Sequence, residues 1–418
     1  MPVTTTTTDS TRAPSFRGGP AWRAQRGAIL VQAAIMMVGL TAFSAFVVDY
    51  GILWTARRQI QNAADAAALA AAISLGFDAP DDQALARSNA LTAVAQNPVW
   101  GAPAHVEDSD ITFPACPVGS VGTGNRVCVR VQAFRNQGTD SSLPTIFGRL
   151  VNVADQGVRA SATAQVLYGS STDCVKPFAI PDRWEELRGN VGLPGWEPLD
   201  TFERYGPGGL LLSPPVDYYE PPGGFLFGPN GTGFSRGPSA VTAGDFGMSL
   251  EFDPGFVPGP AGGEHFMPAH VTPGGSFASD IASCAPRVIQ PGDSLEVERN
   301  NVGGATATGV LSLIAQDAAA TWTASMNNGR GGVSGGCMST GACSVSPRII
   351  ALPAFDPDAW NATIDNDYVV VTRIVGFFIE RYVAPRIVGR LMVYPAAPRS
   401  SMTAEPNSAF VVSVALVR

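Results

Sequence analysis

Apolar and polar positions divide the chain into stretches of unlike rhythm, and the most continuous comes near the front. Residues 28–48, AILVQAAIMMVGLTAFSAFVV, carry no ionisable side chain, and Gln32 is the one amide among them. At about 1.5 Å per helical residue the run covers the roughly 30 Å hydrocarbon depth of a bilayer. It predicts one transmembrane helix. Beyond Asp49 no Pro occurs between Ile52 and Leu75, and Ile60, Ala64, Ala67, Ala71 and Leu75 recur at spacings of three and four. The helix is therefore expected to continue to about residue 75 with a narrow face of small apolar side chains.

Further along, Asp81–Asn97 reads as a second amphipathic helix with acidic residues at its N-terminal end. The period then drops to two. Val127, Val129, Val131 and Ala133 alternate with polar neighbours in one stretch, and Val158, Ala160, Ala162, Ala164 and Val166 in another. With His105–Phe113 as a further strand and Ser142–Val151 as a short connecting helix, residues 76–169 make a small α+β module whose sheet packs on the extended helix. A β-rich lobe follows over 170–418. Its 190–280 portion is dominated by Gly and Pro with scattered aromatics, read as loop pinned to a surface. Helical character returns over Ala307–Trp322, and strands over Asp367–Val383, Gly389–Pro395 and Phe410–Arg418, so the last segment is expected to be tied into a sheet. The fold class is α+β.

Composition adds direction. Hydrophobic residues at 45% provide a core, while 46 Gly and 34 Pro among 418 residues exceed the roughly 12% of average chains and favour loop-rich β structure. A net charge of -8 without a basic stripe argues against a nucleic-acid partner. Arg12, Arg17, Arg23 and Arg26 precede the span against a single Asp9, so residues 1–27 are expected as a disordered cytoplasmic tail and everything after about residue 50 outside the cytoplasm. Trp22, Tyr50 and Trp54 flank the span at headgroup depth. Ala42-Phe43-Ser44 before Ala45 would serve as a leader-cleavage site, but the apolar run continues through it.

The six cysteines all lie beyond the span and include no CxxC pair, which suits disulfides in an oxidising compartment. Cys116 with Cys128 and Cys337 with Cys343 close the shortest loops, leaving Cys174 with Cys284. Spacing alone does not select this connectivity over the others.

The stretch DYGILWTARRQIQNAADAAALAAA, Asp49–Ala72, resembles the N-terminal segment of the TadG-like proteins of the tight-adherence (Flp pilus) assembly system. The residues that carry the resemblance are Gly27, Gln32, Asp49, Gly51, Arg57, Arg58, Gln61, Asn62, Ala63, Ala64, Asp65, Ala66, Ala67 and Leu69. RGAILVQAAIMM, Arg26–Met37, further resembles the start of a type IV pilin, with Gln32 where pilins place Glu. The resemblance implies a bacterial inner-membrane protein with a pilin-like module, whose partners are the lipid bilayer and pilin-like or pilus-secretion-machinery proteins. In pilins the Glu charge pairs with a neighbour's N-terminal amine, and a neutral Gln supplies no such charge in a low-dielectric membrane. An uncleaved single-pass anchor is thus favoured over a minor pilin cut after Gly27. A surface adhesin or ligand-binding protein using the aromatic loops is the remaining alternative.

Catalytic and metal chemistry finds little support. Gly332-Val333-Ser334-Gly335-Gly336 matches a nucleophile elbow by letter, but its flanks are Gly-rich and no His follows Ser334. His265 and His270 stand five apart across Pro268, which spoils a one-face helical metal pair. Asp356, Asp358, Asp365 and Asp367 lack the Gly and Glu of a calcium loop. The Asp-x-Ser-x-Ser metal motif of the von Willebrand A domain, found in many TadG-like chains, does not occur here. The expectation is a non-enzymatic protein with no cofactor and no metal.

Overall fold

Residues Gln25–Ile73 form one helix of 49 residues, α1, which ends in a π-helical turn at Ser74–Asp78. The computed structural model describes residues 25–78, 82–117, 126–136, 138, 141–186, 196–206, 210–213, 216–220, 232–235, 244–254, 261–272, 274–300, 302–362, 367–397 and 410–417. The expected tail before residue 25, Asp365 and much of the Gly- and Pro-rich stretch lie outside them. Between Ile29 and Val48 the large apolar side chains of α1 are 42% to 71% exposed, an apolar surface too long and continuous to face water. This helix is the one membrane-span candidate among the described residues.

Burial begins at Ile52 and becomes complete within three turns. Ala56, Ile60, Ala63, Ala64, Ala67, Ala68, Ala71 and Ala72 are fully enclosed. Alanine costs no side-chain entropy in a helix and adds almost no thickness, so a sheet and a second helix approach α1 closely on adjoining faces. That second helix, α2, spans Gln83–Gln96, starts where the Asp82 carboxylate accepts the Leu85 amide at 2.8 Å, and buries Ala86, Ala90 and Val94.

The sheet has five strands in the order Ile111–Thr112, Arg126–Arg135, Val158–Gly169, Val411–Val417 and Tyr394–Pro395. All neighbours are antiparallel except the last pair. Val129, Val131, Ala133, Ala162, Ala164 and Val166 fill its helix-facing core, as their alternation predicts. The strand Val411–Val417 was expected in the lobe 170–418 and instead completes this first sheet, opposite Val158–Gly169. Its Val412 side chain packs in the α1 core, which is what draws it there.

Three local expectations are corrected. His105–Phe113 is only a bridge at His105 and a two-residue strand, because Asp108–Asp110 coils into a 3-10 turn. Ser142–Val151 is not a helix but a short strand at Leu143–Pro144 and a 3-10 turn at Gly148–Val151. Pro144 lacks the amide that a helix would need, and α1 takes up the amides of residues 146–148. The helix expected over Ala307–Trp322 runs from Val302 to Gln316, and Ala320–Thr323 is a strand. The buried Arg348 ends that helix by donating to the carbonyls of Asp317 and Ala320 at 3.0 and 2.8 Å.

The lobe is built on a sheet that closes on itself. Tyr368–Val383 pairs with Ile349–Phe355, and the ring continues through Phe178–Pro181, His265–Pro268, Ser249–Pro254 and Arg386–Met392 back to Tyr368–Val383. Register shifts after Ala354 and Ile379 bend the long strand around the ring. Two glycines permit the tight closure: a Cβ on Gly376 would lie 2.1 Å from the Met392 carbonyl, and one on Gly389 2.1 Å from that of Phe378. The core is aromatic, with Phe178, Phe266, Phe252 and Phe377 in contact one after the next at centroid distances of 4.8 to 5.9 Å.

A buried ion pair pins the loops over this barrel. Asp182, fully buried, accepts Arg373 Nε at 2.6 Å, Tyr219 Oη at 2.9 Å and the Phe234 amide at 2.9 Å. Gly389→Ala should cost about 1–3 kcal/mol through the forced separation of two strands. A chemical-denaturation midpoint on the detergent-solubilised chain measures it, and an unchanged midpoint would mean that the closure is looser than described.

Candidate functional site

Helix geometry sorts the motif residues onto two faces of α1. Ala63, Ala64 and Ala67 are buried against the sheet and α2, with Asp65, Ala66 and Leu69 half-buried beside them. Gly51, Arg57, Arg58, Gln61 and Asn62 are exposed on the opposite face. Gln32 is exposed within the apolar stretch, and Gly27 lies in the first turns of the helix. The exposed face has its own local order: the Arg58 guanidinium lies 3.6 Å over the Trp54 ring, and Gln61 donates to Asp65 at 2.8 Å. Gln59, between the faces, accepts the Trp100 amide at 2.7 Å.

Asp49 makes the most consequential contact. It is the first ionisable residue after the apolar stretch, and it reaches a segment almost a hundred residues away. One carboxylate oxygen accepts the Ile146 amide at 2.8 Å, and the other accepts those of Phe147 and Gly148 at 3.1 and 2.6 Å. Its backbone carbonyl accepts Gln156 Nε2 at 3.3 Å. These amides open the 3-10 turn Gly148–Val151, so a negative charge sits at the positive end of the turn. Charge-assisted bonds of this kind are roughly twice as strong as neutral ones. The motif's Asp is thus a clamp that joins the head of the α+β unit to the helix at the point where apolar surface ends.

Residues 27–74 match a family model, "Putative Flp pilus-assembly TadE/G-like". The segment is TadE/G-like. It coincides with the helix just described, from the start of the apolar stretch to the last buried turn against the sheet. No curated protein and no solved structure matches the chain. The TadE/G-like match supports a role related to Flp pilus assembly, and the remainder of the chain has to be read from its own geometry.

All six cysteines are paired, Cys116 with Cys128, Cys174 with Cys284 and Cys337 with Cys343. The widest of these closes a separation of 110 residues and holds the start of the barrel lobe to the helix Phe277–Ala282. Lys176, the one lysine, lies beside it. Its buried ammonium donates to the carbonyls of Asp280 and Ser283 at the end of that helix, and burial lowers its pKa to about 8. Sequence reasoning missed this role, because nothing near Lys176 in the chain marks it.

The residues considered for chemistry are engaged separately. Ser334 Oγ lies 2.6 Å from Thr323 Oγ1 across a two-stranded hairpin, with no histidine at hand. His265 Nδ1 meets Asp253 at 2.5 Å, whereas His270 Nε2 meets Glu298 at 3.2 Å. Asp356 caps the helix Pro357–Ala362 through the Asp358 and Ala359 amides, Asp358 binds Arg204, and Asp367 binds Arg299. Among the described residues no cluster of three His, Cys, Asp or Glu groups suited to a metal occurs. Where the end of α1 meets the barrel, an apolar cleft of about 360 Å³ is lined by Ile73, Phe77, Phe246, Met338 and Met392. Its rim carries Asp78, whose carboxyl burial pushes upward in pKa.

The buried carboxyl of Asp217 is held well above the usual carboxylate range. Asp217 stands opposite Glu186 in an antiparallel pair and is 1% exposed. Burial, reinforced by a hydrogen bond to Glu186, raises its pKa to about 7 from the ordinary carboxylate value of 3.8. The folded chain therefore holds a proton that the unfolded chain has released between those values. Stability contributed by Asp217 should fall as pH rises through this window and stay low above it. Asp217→Asn should flatten that dependence, read from urea midpoints across the pH range. For the clamp, Asp49→Ala leaves three amides without their acceptor and should cost about 1–3 kcal/mol, with faster proteolysis between residues 141 and 157. Equal proteolysis of the two proteins would remove Asp49 from this role.

Proposed function

We propose that this chain is a non-enzymatic, membrane-anchored protein of Flp pilus assembly. In this reading α1 crosses the bacterial inner membrane once, with the N-terminus in the cytoplasm. The sheet and barrel lie on the periplasmic or outer side as a scaffold for pilin-like or secretion-machinery proteins. The observation that carries it is the TadE/G-like match over residues 27–74, on a helix whose first half presents a predominantly apolar surface without an ionisable side chain between residues 28 and 48, and whose second half is packed. Three disulfides on the distal side of the apolar stretch support an oxidising compartment. The arginines before it support retention of the N-terminus inside. The scaffold role is supported by the exposed polar motif face, Arg57, Arg58, Gln61 and Asn62, which the fold leaves open to a partner.

The test is an in-frame deletion. Loss of surface pili, restored by the full-length chain, is the expected outcome, and normal piliation would refute the role. Intact mass of the membrane-extracted protein under non-reducing conditions should give the uncut chain with three disulfides. A chain beginning after Gly27 would instead make it a minor pilin.

A further inference from the structure

We propose that the turn over residues 145–153 is a second membrane contact, with Ile146 and Val153 seated in the lipid interface beside the exit of α1. The proposal rests on the reading of α1 as a membrane span. Its geometry follows from the Asp49 clamp. Asp49 comes directly after Val48, the last residue of the apolar run, so whatever Asp49 binds is held at the edge of the hydrocarbon. It binds the amides of Ile146, Phe147 and Gly148. The turn therefore lies at the height where a bilayer changes from acyl chains to headgroups, a zone about 5–7 Å deep on each side.

The turn is built to hold that position. Val153 donates to the Gly148 carbonyl at 2.9 Å, Thr145 donates to that of Ala154 at 3.3 Å, and Asn152 adopts φ 63° to reverse the chain. What it presents is apolar: Ile146 is 57% exposed and Val153 49%, although both belong to a closed, hydrogen-bonded turn. Exposed apolar side chains are ordinary when scattered singly, but these two flank a helix that is itself fully apolar one residue below. Around them stand groups that suit a headgroup layer. Arg149 is an exposed cation, and Tyr50 and Trp54 are 52% and 47% exposed. A soluble protein partner would have to displace headgroups to reach Ile146, whereas lipid is already there.

The experiment uses the full-length chain in vesicles of phosphatidylethanolamine and phosphatidylglycerol. Leu40→Cys, Ile146→Cys, Val153→Cys and Leu311→Cys each receive an environment-sensitive fluorophore, which the disulfide-bonded native cysteines do not take up. Nitroxide lipids should quench position 40 from mid-chain depth and positions 146 and 153 from headgroup depth, and should leave position 311 unaffected. Adding Asp49→Ala should abolish quenching at 146 but not at 40. Quenching at 40 without quenching at 146 and 153 overturns the second contact and leaves the anchor standing. No quenching at 40 overturns the anchor itself. Shielding of 146 that rises with protein density rather than with lipid would assign the turn to a second copy of the chain and also overturn the proposal.

Discussion

One helix carries two unlike surfaces without a break. In hydrocarbon no water is present for backbone amides and carbonyls, so each must find its partner within the helix. α1 meets that condition by pairing its own backbone along its length, and large apolar side chains are exposed along its first half. Past Asp49 the same backbone must instead accept a sheet and a second helix at close range, and it does so by shedding side-chain volume. The buried alanines from Ala56 to Ala72 are also strong helix formers, so one choice of residue serves both continuity and packing. The rest of the fold is placed by this rod: the five-stranded sheet lies along its alanine face, and the barrel hangs from that sheet.

Much of the first unit was legible because its signals are local. The apolar run, the spacing of Ile60, Ala64, Ala67, Ala71 and Leu75, and the alternation in the strands Arg126–Arg135 and Val158–Gly169 each lie within a few turns or pleats. The barrel was visible only as β-rich. Its ring depends on Phe178–Pro181 lying parallel to Ile349–Phe355, and His265–Pro268 parallel to Ser249–Pro254, strands too short to show a period and far apart in the chain. The motif itself was readable as a pattern, but the partner of Asp49 was not. A carboxylate that binds backbone amides leaves no trace in the side chains it binds, so the sequence of the turn at residues 146–148 carries no matching signal.

The buried polar groups of the barrel have a related logic. Arg348 donates to the carbonyls of Asp317, Ala320, Ile379 and Glu380, and Arg373 is enclosed with Asp182. Replacement of such groups by apolar ones is often neutral for stability, but they tie particular loops to particular strands. Arg348 settles where one helix ends and a hairpin begins. Asp182 gathers Tyr219, Phe234 and Arg373 from three separate parts of the chain. In a lobe rich in Gly and Pro, where local preference says little, these groups supply the register.

The pairing of Val411 with Gly169 has a mechanical meaning. The chain leaves the first sheet for the barrel after Gly169 and returns to it at Tyr394–Pro395, with Val411–Val417 hydrogen-bonded between those two strands. A tug on the barrel is divided between the entry and exit strands and shears the ladders of Val411–Val417 between them, rather than peeling one strand from a free end. Shear loads many hydrogen bonds at once and peeling loads them in turn. The attachment therefore resists a load carried from the barrel through the sheet to α1.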